Sequence, residues 1–556
     1  MIQTNTENSI GVTSSKSMEG LEPGRWVWLK HPLVVSMMAL GVTVLVIGGA
    51  GLWMTEGNFT YVQDDAYIHL AMANTLVLEG VWGIDARGFT SSSSSLLWTL
   101  LVAGIQRVLG DGYYVPLVLN LLSAGGVLYA AYRALMKYTG SVRFTRWALL
   151  GIVFLVPLPA LIFVGMEHTL QMLINVGLVF LAATLLGKER ISHRQLACLF
   201  LLSSLATLIR YEGAFLVVIV AGLFLARKRV WVAVGTLFFG ALPVVIYGWA
   251  SASRGWFFLP NTVLLKKKNV AWTVRGLWRF AEGFVHQFFR TDSFHVYLLL
   301  GLVAGSLVYR LRKGQSLWRP LNSLLAITTG TMFVHLVSAR QGGFFRYEAY
   351  LMVLGLLVLS FSVYDYFPHR VARVFEKGGR PNFRGMGIMF LLMAVVLVGR
   401  SLVALSWTPQ ASRNIYQQQC QMARFAQRYY AGKPVAVNDI GAMAYFSGSH
   451  VIDLCGLADL ESAKIWRQHR PREEDLARLT REKGMELAII YDHWFRHSIP
   501  RQWVRAGQWT ISGNVVCSGD HVSFYAPDAE KAKKLRRQLH EFAPELPKGV
   551  GSVIIE

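Results

Sequence analysis

Charge is what this sequence has least of. Only 16% of its 556 residues are charged, against 53% hydrophobic, where a soluble domain carries about one quarter charged residues. Acidic side chains are the scarcer kind: 33 Asp and Glu stand against 55 Lys and Arg, a formal net charge of +22. Cysteine is nearly missing, with four in the whole chain. Cys198 lies in an apolar block and Cys420, Cys455 and Cys517 in the last third, none with the paired spacing of a zinc site. At most one disulfide fits among the last three, and small buried thiols fit equally well. Also lacking is any basic tract interleaved with aromatic residues, which a single-strand nucleic-acid groove needs. The positive charge falls instead in short clusters between apolar blocks. Nucleic acid is thereby excluded as a partner.

What is there is a series of apolar blocks of about 20 residues, the length that crosses ~30 Å of hydrocarbon. The first 30 residues are polar and end on Arg25, Lys30 and His31; an apolar run then follows from Pro32 to Trp53. That run is too long for a signal-peptide core and no small-x-small cleavage site follows it, so it reads as an uncleaved anchor. Basic clusters lie at Lys137/Arg143/Arg146, Lys188/Arg190/Arg194, Arg227/Lys228/Arg229, Arg310/Arg312/Lys313/Arg319 and Arg370/Arg373/Lys377/Arg380/Arg384. Placed on the cytoplasmic side, each neighbouring pair must enclose two spans. The apolar stretches 147–164 with 169–187, 195–209 with 213–226, 230–250 with 294–309, and 321–338 with 348–367 supply them. A last span over 386–406 delivers the remainder outside.

Between Trp53 and Lys137 one crossing is required and two apolar stretches are available, Leu96–Leu109 and Tyr113–Tyr132. The first is short, follows the serines 91–95 and contains Gln106 and Arg107, so it is expected to lie along the surface as an interfacial helix. Eleven spans result. The expected organisation is a cytoplasmic tail (1–31), a transmembrane domain (32–406) with a first outer loop over 54–112, and an extracytoplasmic domain (407–556), in a bacterial inner membrane. This threading collects Asp64, Asp65, Glu167, His168, Arg210, Glu212, Asn261, Lys266–Lys268, Arg340 and Arg346 on the outer face. The span interiors hold almost no ionisable groups, which argues against a proton-coupled transporter.

The stretch Tyr61-Val-Gln-Asp-Asp-Ala-Tyr-Ile-His-Leu opens the first outer loop. Two aspartates at a membrane edge are costly unless solvated, paired or used. Either would serve as N-cap of a helix starting near Ala66, but one cap needs one Asp. Asp65 and His69 are four apart and share a helix face, beside a greasy stripe of Ile68, Met72 and Leu76. Carboxylates presented toward a lipid phosphate suit glycosyl transfer, in which the acceptor hydroxyl needs a base and the oxocarbenium-like centre a nearby negative charge.

Asp64-Asp65-Ala66-Tyr67-Ile68, then Ala73-Asn74 and Gly88-Phe89-Thr90-Ser91…Leu97-Trp98, resembles the first outer loop of GT-C glycosyltransferases, most of all the mycobacterial arabinofuranosyltransferase-like group. Gly165-Met166-Glu167-His168, Leu259-Pro260-Asn261-Thr262 and Asn438-Asp439-Ile440-Gly441 resemble later loops of that group. The resemblance implies a polytopic α-helical GT-C fold and a polyprenyl-phosphate sugar donor, arabinofuranose being one candidate sugar. It also implies a cell-envelope acceptor, and an aspartate of the first loop acting as catalytic base or helping to hold a divalent metal, Mg or Mn, through Asp64, Asp65 and Glu167. Glu167 takes the place of the group's second acidic residue. The sequence departs at Ile209-Arg210-Tyr211-Glu212-Gly213, where an Arg-Pro-Asp-Gly-like turn is expected; Arg210 is kept.

A departing prenyl phosphate develops negative charge and needs cations. Arg210, Arg346 and the lysines Lys266, Lys267 and Lys268 are the candidates, with arginine better suited to bidentate phosphate binding; the lysine run also suits attraction to anionic headgroups. Tyr67, His69, His168, Glu212 and Asn261 are the expected substrate contacts.

From residue 407 onward charge rises and apolar runs shorten. Pro434–Val437, Val451–Leu454 and Glu486–Tyr491 read as buried strands, Gln417–Tyr430 and Glu473–Lys483 as helices, and Trp509–Cys517 with His521–Ala526 as a hairpin turning through Ser518-Gly519-Asp520. The expected product is a small α/β domain that docks the acceptor. Two other readings compete: a lipid-binding or flippase-type protein, and an envelope-modifying phosphotransferase. The aspartate pair weighs against the first, and the lack of a nucleophilic Ser, Thr or Cys beside a metal cluster weighs against the second.

Overall fold

The computed structural model describes residues 31–265, 293–366 and 386–556. The N-terminal tail to residue 30, Lys266–Lys268 and the basic cluster Arg370–Arg384 lie outside the described residues.

Among those described, eight helices are long and apolar enough to cross a membrane: Pro32–Met54, Val115–Thr139, His168–Leu186, Val230–Ala252, Phe294–Arg312, Pro320–Ser338, Ala349–Tyr366 and the run Leu391–Tyr430. The expected spans 195–209 and 213–226 form shorter apolar helices, His193–Ile209 and Gly213–Ala226. The expected span 147–164 is broken at Pro157 into Val142–Leu155 and Leu158–Ile162, because proline lacks the N–H that a continuous helix needs. The short stretch Leu96–Leu109 is helical, with Ser95 accepting the Trp98 N–H at its start, and it packs along the helix Asp65–Glu79.

The basic clusters meet at one end of the bundle. Arg310 pairs with Asp365, and its Nε donates to Asn322 Oδ1 at 2.5 Å. Arg229 Nη1 donates to the Leu185 carbonyl at 2.8 Å, and Arg227 stacks over Trp318 at 5.3 Å. The Tyr364 hydroxyl donates to the Thr139 carbonyl at 2.6 Å. Ends separated by two crossings each must come together in this way, as the threading by charge requires.

The last membrane helix, Met386–Ile415, continues through a π turn, Tyr416–Cys420, into the helix Gln421–Tyr430. A stripe of Leu391, Val395, Val398 and Leu402 is exposed along it, the spacing of a single helix face. Beyond it lies one six-stranded sheet: β1 (Pro434–Val437), β2 (His450–Asp453), β3 (Leu487–Ile490), β4 (Val504–Thr510), β5 (His521–Ala526) and β6 (Gly551–Ile554), in the order β2-β1-β3-β5-β4-β6. β1, β2 and β3 run parallel, and the other pairings are antiparallel. β3, central and apolar throughout, is buried at every residue.

The hairpin differs from expectation. β4 ends at Thr510, opposite His521, and residues 511–520 form the connection. Asn514 is the reason: its Oδ1 accepts from the Val516 and Cys517 N–H groups at 3.1 and 2.8 Å, curling the chain on itself. The apolar residues of that loop are used elsewhere, as described below. All four cysteines are free thiols.

Candidate active site

At the end of the bundle opposite the basic clusters, the loops around Val62 and Phe163 are pressed together, and the C-terminal domain, expected on the outer face and hence the outer domain, sits against them. The Val62 N–H donates to the Phe163 carbonyl at 3.1 Å. Gly165 stands at φ +72°, and a Cβ there would lie 2.5 Å from the Tyr61 ring and 2.9 Å from Ala66 Cβ. Only glycine permits that approach. It brings Glu167 Oε2 to 3.8 Å from His69 Nε2.

Neither aspartate caps its own helix. Asp64 precedes Asp65–Glu79 with no side-chain cap bond. Its carboxylate accepts the N–H groups of Gly441 and Ala442, at 2.7 and 2.8 Å, the first turn of the helix Gly441–Phe446 in the outer domain. Burial and the nearby Asp439 push Asp64 up to about 8, with the two N–H bonds holding it down in part.

Asp65 Oδ2 accepts from Arg346 Nη2 at 2.6 Å. Arg346 is buried; it also donates to Gln63 Oε1 at 3.2 Å and lies 5.0 Å over the Tyr347 ring. Burial works against its charge, and Tyr347 and Asp65 more than offset it. The loop that carries it is strained: Gly342, Gly343, Phe344 and Phe345 all have positive φ, the two phenylalanines at +60° and +66°. A left-handed phenylalanine costs roughly 1–2 kcal/mol, the kind of strain that persists where surrounding contacts fix a side chain for use.

Arg210 is enclosed by acids. Its Nη1 donates to Glu167 Oε1 at 2.6 Å, and its Nε and Nη2 fork onto Glu212 at 3.2 and 2.8 Å. Burial would raise the Glu212 carboxyl; Arg210 overrides it and holds it down at about 2.

Between the first loop and the outer domain lies a cavity of about 430 Å³. Asp64, Asp65 and Tyr347 line it from the membrane domain, and Gln419, Asn438 and Asp439 from the outer domain. Asp439 Oδ2 accepts from Gln419 Nε2 and the Tyr491 hydroxyl, both at 3.0 Å. Burial raises its pKa, and Asp65 adds to the rise. Arg340 also lines the cavity and has no charged partner among the described residues.

The structure thus brings together Asp64, Asp65 and Arg346, and separately Glu167, His69, Arg210 and Glu212. Glu167 is fully buried beneath the cavity rather than on its lining. His69 Nδ1 lies 2.9 Å from Thr99 Oγ1, and His168 stands edge-on to Tyr347 at 6.2 Å. Tyr67 is buried among aromatic rings, its hydroxyl accepting the Tyr61 N–H at 3.1 Å. Asn261 ties the serine run to the outer domain: its N–H donates to the Ser91 carbonyl at 2.9 Å and its Nδ2 to the Gly456 carbonyl at 2.8 Å. Lys266, Lys267 and Lys268 lie outside the described residues. Asp64, Asp65 and Glu167 do not combine as a metal site: among the described residues no group of three or more His, Cys, Asp or Glu has metal-holding proximity. Each carboxylate is instead engaged by different N–H donors.

Sequence reasoning left Gln419, Tyr491 and Tyr347 out of the site. The signal for the first was the triplet Gln417–Gln419, polar on every face of an otherwise amphipathic helix; the π turn there aims Gln419 at Asp439.

The chain superposes on the crystal structure of ArnT from Cupriavidus metallidurans in the apo state over 90% of its own length and 98% of that chain, with a TM-score of 0.52 and 12% identity. It therefore has the GT-C fold: a polytopic helical membrane domain with a C-terminal α/β domain. It is also similar to the arabinofuranosyltransferase AftD from Mycobacteria (mutant R1389S), over 88% of this chain, at 14% identity and a TM-score of 0.44; the chain spans 42% of AftD's length. Residues 413–525 match a family described as a domain of unknown function (DUF8728). No curated protein matches significantly in sequence.

Proposed function

We propose that the chain is an integral-membrane glycosyltransferase acting at the outer face of a bacterial inner membrane. It takes a sugar, arabinofuranose by the resemblance of its loops, from a polyprenyl-phosphate donor to a cell-envelope glycan, lipid or protein acceptor. The observation that carries this reading is the convergence of Asp64, Asp65 and Asp439 on one cavity, with Arg346 held on Asp65.

In such a reaction the acceptor oxygen bonds to the anomeric carbon as the bond from that carbon to the phosphate oxygen breaks. The bonding pair leaves on the phosphate, and the hydroxyl proton passes to a carboxylate. Asp64, pushed up to about 8, has the proton affinity that a general base needs near neutral pH. Asp65 supplies negative charge beside the oxocarbenium-like centre. Arg346, with a buried Nε that lacks a partner among the described residues, and Arg340 supply positive charge for the leaving phosphate. Arg210, engaged by Glu167 and Glu212, acts as a scaffold behind them.

The test follows sugar release from extracted lipid carriers into a cell-envelope acceptor. Asp64→Asn or Asp65→Asn should lower transfer by roughly a hundredfold or more, the scale of a lost general base. Parental transfer by the double variant would place the chemistry elsewhere.

A further inference from the structure

A second cavity, of about 350 Å³, lies on the far side of Gln63, which lines both. Its walls are His295, the strained loop Gly342–Phe345, Glu348, Arg400 and Trp407, with Val515 and Val516 of the outer domain closing it. These are the apolar residues that the Asn514 curl withdraws from the hairpin.

Its chemistry differs from that of the first cavity. Glu348 Oε1 accepts from Arg400 Nη2 at 2.5 Å and lies 3.5 Å from His295 Nε2, and Oε2 accepts from the Gly342 N–H at 3.0 Å, so the carboxylate offsets the guanidinium. Arg400 Nη1 is buried with no hydrogen-bond partner among the described residues, although Arg400 lines the cavity and an orphan buried donor is costly. Aromatic faces surround this polar centre: Arg400 lies 4.9 Å over the Phe345 ring, and Phe345 and Trp407 are 6.3 Å apart.

With Arg400 already held by Glu348, the cavity keeps no surplus of fixed positive charge for a phosphate. Flat apolar surfaces around a few fixed donors and acceptors fit a ligand with an apolar C–H face and a polar rim. The volume is at the lower end of the ~300–1,000 Å³ of small-molecule sites, the size of a sugar ring rather than a chain. We infer that this cavity binds a neutral saccharide, stacked on Trp407 and Phe345 and hydrogen-bonded by Arg400 Nη1 and Glu348. Given the glycosyl transfer proposed above, that saccharide is the acceptor's terminal ring, reaching the aspartates past Gln63. Trp407 is 41% exposed, and the lipid-facing stripe through Leu402 runs alongside, so the ring enters at the membrane surface.

Saturation-transfer NMR on the full chain in nanodiscs tests this without turnover, using the methyl glycosides of arabinofuranose, galactofuranose and mannopyranose. At least one should bind. Trp407→Ala should weaken that binding about tenfold, the scale of a lost aromatic stack. Trp407→Phe should keep most of it, and Val515→Trp should abolish it by filling the cavity. Trp231→Ala, at a residue 86% exposed away from both cavities, should change nothing. No glycoside signal, or one indifferent to Trp407→Ala and Val515→Trp, overturns the assignment. Farnesyl phosphate binding that alone depends on Trp407 would overturn it in favour of a lipid phosphate. Absence of transfer with intact saccharide binding would instead sink the glycosyltransferase reading.

Discussion

Asp64 and Gly441 are 377 residues apart in the chain, yet the Asp64 carboxylate receives the Gly441 N–H at 2.7 Å. A Cβ on Gly441 would stand 2.0 Å from the Asp64 carbonyl oxygen. The outer domain is therefore docked with the Gly441 backbone against both the carboxylate and the carbonyl of Asp64, with no slack for a methyl. Gly441→Ala should destabilise the protein by about 2 kcal/mol, as overpacking does, and lower transfer with it. Thermal unfolding in detergent measures the effect, and an unchanged midpoint would mean the domain does not sit on Asp64.

Asp64 makes stability depend on pH in an unusual sense. A carboxyl raised from 3.8 to about 8 by burial and by Asp439 binds its proton more tightly folded than unfolded. Its contribution is complete below its ordinary value and is lost as pH climbs through about 8. The unfolding midpoint of the parent should fall relative to Asp64→Asn across that window. Transfer should run the other way, rising as Asp64 ionises. Asp439→Asn, by removing the repulsion, should move the rising limb to lower pH. A pH–rate profile indifferent to Asp439→Asn would exclude this coupling.

The two arginines should fail differently. Arg210 is enclosed by Glu167 and Glu212, so Arg210→Ala leaves a buried carboxylate uncompensated and should cost about 3–5 kcal/mol of stability. Arg346→Lys keeps a charge near Asp65 but loses the planar fork that also reaches Gln63. It should unfold near the parental midpoint while losing about tenfold or more in transfer, the scale of one missing charge-stabilising donor. Equal losses in both assays for both variants would erase the distinction.

Membrane orientation is open to direct labelling. In a background without native cysteines, Lys188→Cys should resist an impermeant thiol reagent in intact cells and Ala431→Cys should react. Both positions are exposed. Reaction of both, or of Lys188→Cys alone, would contradict the proposed sidedness.

The membrane domain was legible because hydropathy and charge act locally: block length and flanking lysines and arginines identify a span without knowledge of its neighbours. The aspartate pair was legible for the same reason, as an expense that must be offset. What each aspartate touches was not. Asp64 is met by the backbone N–H groups of Gly441 and Ala442, which carry no side-chain signature. Glu167 resembled a catalytic acid because its loop lies beside the first, and only the close approach of Gly165 to Tyr61 shows it engaged by Arg210 below. The hairpin slipped because Val515 and Val516 look like strand residues, whereas they are half-buried and line the cavity beside the strained loop of the membrane domain.

The π turn at Tyr416–Cys420 sets an angular phase. It stands in a helix that contains Pro409 and runs from the membrane into the outer domain, and a π turn winds one residue more than an α turn. Each residue of a helix advances about 100° around its axis. Everything beyond Cys420 is thus rotated by that amount from where a regular helix would leave it, and that rotation faces Asp439 toward Asp64. Deleting a single glutamine from the triplet would restore regular winding and leave every residue beyond Cys420 intact, yet turn the acidic edge at Asp439 away from the aspartate pair.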